Sequence, residues 1–135
     1  SMKLVERAVE EMLRYWSTTN FVGFRVALED VEFRGVTIRA GEGILPQVVA
    51  ANHDPAVFAD PGTFDIDRQS KLPHVAFGFG IHQCIGQQLS RAELKAVFNC
   101  LPKRMPGLRL AIPFEDVEFK RGYLTHGFHT LPVAW

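Results

Sequence analysis

One stretch constrains this chain more than any other: Phe77-Gly78-Phe79-Gly80-Ile81-His82-Gln83-Cys84-Ile85-Gly86. Two glycines and two aromatics lead into a cysteine, and a helix-forming run follows. Glycine adopts positive φ without steric cost, so Gly78 and Gly80 let the backbone bend close to a flat ligand. A Cys at a helix N-terminus faces the positive end of the helix dipole and unpaired amide donors, which favour its thiolate. The amides of Ile85 and Gly86 are near enough in sequence to hydrogen-bond that thiolate and tune a metal held by it. On these grounds alone, two chemistries stay open for Cys84: nucleophile and metal ligand.

The rest of the composition sets bounds. At 135 residues, with 47% hydrophobic and 22% charged, the chain fits one folded domain, residues 1–135, rather than a disordered segment. Fifteen basic residues balance fifteen acidic ones, so there is no global pull toward nucleic acid or an anionic membrane. No apolar run approaches the roughly 20 residues that span a bilayer. Eleven Phe residues require a large apolar surface to be covered, by core or by a cofactor. Cys84 and Cys100 make no disulfide framework; composition alone reads them as inert thiols in a reducing cytoplasm, with Cys100 as buried packing.

Hydrophobic periodicity predicts a helix over Lys3–Trp16, with Val5, Val9, Met12, Leu13 and Trp16 on one stripe. Phe21–Ala27 reads as a strand, and Val31–Phe33 and Val36–Ile38 flank an Arg34-Gly35 turn as a hairpin. The apolar run Ile44–Ala51 extends this small sheet. Asp54-Pro55 signals a short helix over Pro55–Phe58. Residues 59–73 are irregular, and so long a stretch without elements usually has a task. A second helix covers Gly86–Leu101, with Leu89, Ala92, Ala96 and Val97 near one face and Pro102 ending it. The tail from Leu108 to Trp135 reads as short strands. The fold class is α+β.

The spacing Phe, two residues, Gly, one residue, His, one residue, Cys, one residue, Gly is carried by Phe77, Gly80, His82, Cys84 and Gly86. With it the chain resembles the cytochrome P-450 enzymes at their haem-binding loop. Other segments agree in order. Glu11-Met12-Leu13-Arg14 resembles the Glu-x-x-Arg motif of the K helix. Phe64-Asp65-Ile66-Asp67-Arg68 resembles the segment whose arginine completes a Glu–Arg–Arg triad. Ala51-Asn52-His53-Asp54-Pro55 and Leu131-Pro132-Val133-Ala134-Trp135 are similar to actinobacterial members. The resemblance implies the C-terminal part of that fold: K and L helices, small sheets, meander and cysteine loop, without the I helix and the distal half.

By that resemblance Cys84 is the thiolate ligand of haem b iron, an axial donor that favours O–O cleavage. Phe77 packs beside the sulfur, His82 and Arg25 meet the propionates, and Gly80 and Gly86 shape the loop. Glu11, Arg14 and Arg68 form the structural triad, and Phe21, Val22, Tyr123 and Leu124 border the substrate pocket. The implied function is monooxygenation in secondary metabolism. A ferredoxin-type electron donor would dock near Cys84, at Arg91, Lys95 and Arg104. The implied location is cytoplasmic, without nucleic acid or membrane. No Gly-x-Asp/Glu-Thr pattern for proton delivery occurs, so the expectation is a truncated chain, inactive alone. Its bare distal face would be covered by a second copy, as a homo-oligomer, or by a complementary chain. The alternative is a haem-free interaction or scaffold protein.

Without the family, residue by residue, the readings are plainer. Glu11 and Arg14 would be a solvated i,i+3 pair, Arg25 an exposed strand residue, and His82 a histidine without a ligand. His53, His74, His126 and His129 show no metal spacing.

Overall fold

The computed structural model describes residues 2–135. Helix α1, Met2–Trp16, opens the chain. Strand β1, Arg25–Val26, pairs antiparallel with β4, Gly43–Ile44. Between them β2, Val31–Phe33, and β3, Val36–Ile38, form a hairpin in register Val31↔Ile38 and Phe33↔Val36. Its two turn residues, Arg34 and Gly35, both have positive φ, the geometry that matches the twist of the flanking strands. Helix α2 is Val48–Asn52 and α3 is Gln87–Arg104. Strands β5, Arg109–Leu110, and β6, Val133–Ala134, close the tail. The architecture is α+β, with α1 packed against both α2 and α3.

Helix α1 is buried on two sides. Val9 is buried on the predicted apolar stripe, but Trp16 at its end is exposed. Glu11 and Arg14, on the side that periodicity assigns to water, are buried as well. The most deeply buried side chains of the molecule are therefore largely polar: Arg14, Asn52 and Ser17 beside Val9.

Several elements differ from the sequence reading. Phe21–Ala27 is not one strand: only Arg25–Val26 ladder, while Phe21 makes a single bridge to Gln47. The run Ile44–Ala51 splits, because the Val48 and Val49 amides donate to the Asn20 carbonyl at 3.0 and 3.5 Å and start α2. Asp54 does cap, accepting the Ala56 amide at 2.9 Å, yet the turn stops after one round and Asp60 reverses the chain at φ 45°. Pro102 does not end α3, which runs to Arg104; in the last turn a proline removes only one helix bond. Residues Leu89, Ala92, Ala96 and Val97 are exposed, and α3 instead turns Arg91, Leu94, Lys95 and Phe98 inward. Cys100 is exposed rather than buried.

The irregular stretch after Asp54 is held by two guanidinium groups. Arg14 donates to the carbonyls of Pro61 and Thr63, and Arg68 to those of Ala59, Asp60 and Thr63. Backbone carbonyls that no strand or helix satisfies thus find side-chain donors.

Candidate cofactor site

The cysteine loop is built from three main-chain hydrogen bonds. Gly78 N–H donates to Val75 O at 2.8 Å, Gln83 N–H to Gly80 O at 3.0 Å, and Cys84 N–H to Phe77 O at 2.9 Å. The last closes the loop and places Cys84 opposite Phe77. Gly78 and Gly80 sit at φ 74° and 79°, where a Cβ is strained. A 3₁₀ turn, Gly80–His82, carries the histidine. The chain then enters α3 through Gln87 N–H, which donates to Cys84 O at 3.3 Å. Cys84 lies just ahead of α3 and is a free, exposed thiol.

Phe77, His82, Cys84 and Arg25 line one hollow of about 470 Å³. Phe21 and Val22 line it too, on the side contributed by the segment before β1. Gly80 and Gly86 do not line it, although a Cβ on Gly86 would stand 3.8 Å from the Cys84 sulfur. Arg25 folds back, its Nη1 donating to the carbonyls of Gly23 and Phe24 at 3.0 and 3.1 Å. Tyr123 and Leu124 do not line the hollow; their carbonyls accept from Asn20, at 3.2 Å each, while Thr125 takes the wall position. Thr125 closes the segment Gly122–Thr125 that the resemblance places at the substrate pocket, whereas Thr19 and Leu13 carried no signal beyond proximity to the flagged segments.

The chemistry of this hollow is specific. It joins one sulfur, an aromatic face, an imidazole and a guanidinium. Among the described residues no three His, Cys, Asp or Glu side chains gather as a metal site. Cys84 can offer a metal one sulfur donor, and Arg25 and His82 are groups able to meet an anion.

Beneath the loop, Glu11, Arg14 and Arg68 form a closed network. Arg14 Nε and Nη2 each reach a Glu11 oxygen at 2.8 Å, and Arg68 Nε reaches Oε1 at 3.1 Å. The Asp65 amide adds a fourth donor at 3.0 Å. Burial pushes the Glu11 carboxyl up, but these donors outweigh it and hold it below the usual range. Asn52, fully buried, accepts the Val75 amide through Oδ1 at 2.8 Å and donates to Ser17 Oγ at 2.8 Å. The network beneath α1 is thereby joined to the start of the cysteine loop.

Of the three expected docking cations, Arg91 is bound to Glu10 at 2.7 Å and Lys95 lies 3.6 Å from Glu6. Both belong to the contact between α1 and α3. Arg104, in the last turn of α3, is exposed. Among the described residues no helix is long and apolar enough to cross a membrane.

The family model for cytochrome P-450 matches residues 1–104. Vitamin D3 dihydroxylase of Streptomyces griseolus is 47% identical over 132 residues, which are 98% of this chain and 32% of that protein. Pentalenic acid synthase of Streptomyces avermitilis is 48% identical over 132 residues, with the same coverage of 98% and 32%. The crystal structure of cytochrome P-450 MoxA from Nonomuraea recticatena, 50% identical, superposes with a TM-score of 0.93 over 100% of this chain and 33% of its own. The chain thus spans about a third of the length of these relatives.

Proposed function

Because the chain belongs to the cytochrome P-450 family, we propose that it forms the thiolate side of a haem monooxygenase, with Cys84 as the protein ligand to iron. The observation that supports this is the meeting of Cys84, Phe77, His82 and Arg25 on one hollow. The donor set fits haem: a lone sulfur, an aromatic neighbour, and two groups able to meet carboxylates. When bound, the haem supplies the iron at which dioxygen is activated for insertion of one oxygen atom into an organic substrate.

The chain's own residues seat that group. The Cys84 amide, held by Phe77 O, fixes the backbone from which the sulfur projects. Phe77 lines the same hollow as the sulfur and offers the macrocycle an apolar face. Arg25 and His82 receive the propionates, which requires the Arg25 guanidinium to leave its own backbone carbonyls. Phe21 and Val22 border the space for substrate. Secondary metabolites are the proposed substrate class, consistent with relatives such as pentalenic acid synthase. Electrons would come from a ferredoxin-type donor on the Cys84 side, with Arg104 as a candidate contact.

The test is a haem titration of the full chain, followed by the absorption spectrum of the reduced, carbon-monoxide-bound form. A thiolate-type band lost in Cys84→Ser and kept in Cys100→Ser supports the assignment. A band that survives Cys84→Ser, or a chain that takes up no haem, overturns it.

A further inference from the structure

We propose that Arg91, clamped by Glu10, is a positioning residue for the Cys84 loop, acting through Phe77. This rests on the reading of Cys84 as the iron ligand. The Glu10 carboxylate, on α1, takes Arg91 from α3 in a fork: Nε to Oε1 at 2.7 Å and Nη2 to Oε2 at 3.1 Å. Arg91 Nη1 also donates to Gln87 Oε1 at 3.0 Å. So tethered at three points, the guanidinium lies 4.8 Å from the centre of the Phe77 ring. A cation over an aromatic face fixes both partners when its own orientation is fixed.

The same carboxylate grips the chain one residue earlier. His74 Nδ1 accepts the Ala76 amide at 3.2 Å. A backbone N–H can only donate, so Nδ1 is bare and the proton sits on Nε2. His74 Nε2–H then donates to Glu10 Oε2 at 3.0 Å. Ala76 is held by its backbone and Phe77 by its ring, both from Glu10. Phe77 O in turn carries the Cys84 amide at 2.9 Å. An isolated exposed ion pair would contribute little. Here the pair is planar, shared with a nearly buried histidine, and joined to the one residue that closes the loop.

Arg91→Lys separates this role from simple charge pairing, because it keeps the charge and loses the planar fork. In the haem-free chain, hydrogen exchange at the Cys84 amide should quicken by about tenfold, with Leu13 in α1 little changed. In the haem-loaded chain, the share of thiolate-type carbon-monoxide band should fall. In a Phe77→Leu background the same substitution should add nothing to either effect. Unchanged Cys84 exchange in Arg91→Lys, or an equal rise at Leu13, overturns the proposal. Should Arg91→Lys not fold, Glu10→Gln, which releases the clamp and leaves Arg91 in place, decides by the same exchange comparison. A wild-type chain that takes up no haem overturns only the functional reading, since the exchange comparison still decides the positioning.

Discussion

Arg14 and Arg68, fifty-odd residues apart in sequence, share the single carboxylate of Glu11 at 2.8 and 3.1 Å. Two guanidinium groups and one carboxylate out of water would be unstable by themselves. Here the remaining donors find backbone carbonyls, so every charged hydrogen-bonding position that matters is occupied. The cluster acts as a clasp between α1 and the irregular segment after Asp54.

Glu11→Gln should therefore be severe. It leaves the buried Arg14 and the part-buried Arg68 without a counter-charge, at a cost of about 3–5 kcal/mol. Urea unfolding of the variant should show the loss in the midpoint. Glu6→Gln, which weakens only the long, largely exposed pair with Lys95 at 3.6 Å, should stay within about 0.5 kcal/mol.

Acid should loosen the chain in a defined window. Burial raises the Glu10 carboxyl, but hydrogen bonds from His74 and Arg91, with the Arg91 charge, outweigh it and lower it from 4.5 to about 2. Glu11 moves in the same direction. Both bind protons more weakly folded than unfolded, so their contribution is complete above about pH 4.5 and drains away as the pH falls toward about 2. Glu10 is half exposed, which limits its share to about 1 kcal/mol. Unfolding midpoints measured down this range should fall, and Glu10→Gln should flatten part of the slope.

Asn52 predicts a loss at a distance from the loop it supports. In Asn52→Ala the Val75 amide and the Ser17 hydroxyl each lose a buried partner, costing about 2–3 kcal/mol in all. Val75 should also exchange its amide hydrogen faster than neighbours in α1. Equal stability of the variant and the parent would show that water replaces the amide at no cost.

The cysteine loop was legible in the sequence because its residue types are demanded by chemistry. Positive φ at Gly78 and Gly80, and a thiol ahead of a helix, are local properties. The clasp was legible only through family resemblance. Periodicity turns Glu11 and Arg14 outward, and the carbonyls that justify burying them lie in a segment without period. Helix α2 was hidden for a related reason. Val48 and Val49 favour a strand, and only the distant Asn20 carbonyl supplies their helix-starting acceptor. The inward face of α3 was misread because it meets α1 through Arg91 and Lys95, while apolar Leu89 and Val97 face outward. With Arg91 and Lys95 beside Leu94 and Phe98, charge interrupts the apolar stripe that periodicity looks for.

Gly80 and Gly86 stand in one loop for different reasons, and alanine separates them. Gly80 has φ 79° and nothing within 4 Å of an added Cβ, so Gly80→Ala carries only backbone strain, about 1 kcal/mol. Gly86 has φ −80° and ψ 0°, which any residue adopts, and its added Cβ would meet the Cys84 sulfur at 3.8 Å, an ordinary contact. Gly86→Ala should thus change stability by no more than about 1 kcal/mol, the weaker helix cap included. Its effect should appear at the sulfur instead: a methyl there crowds the approach of a flat macrocycle. Denaturation of both variants, set beside haem titrations, checks the contrast. Gly80→Ala should lower the unfolding midpoint, and Gly86→Ala should lower haem uptake more than its small stability change explains. Parallel losses in both measurements for both variants would show that the two glycines serve only the backbone.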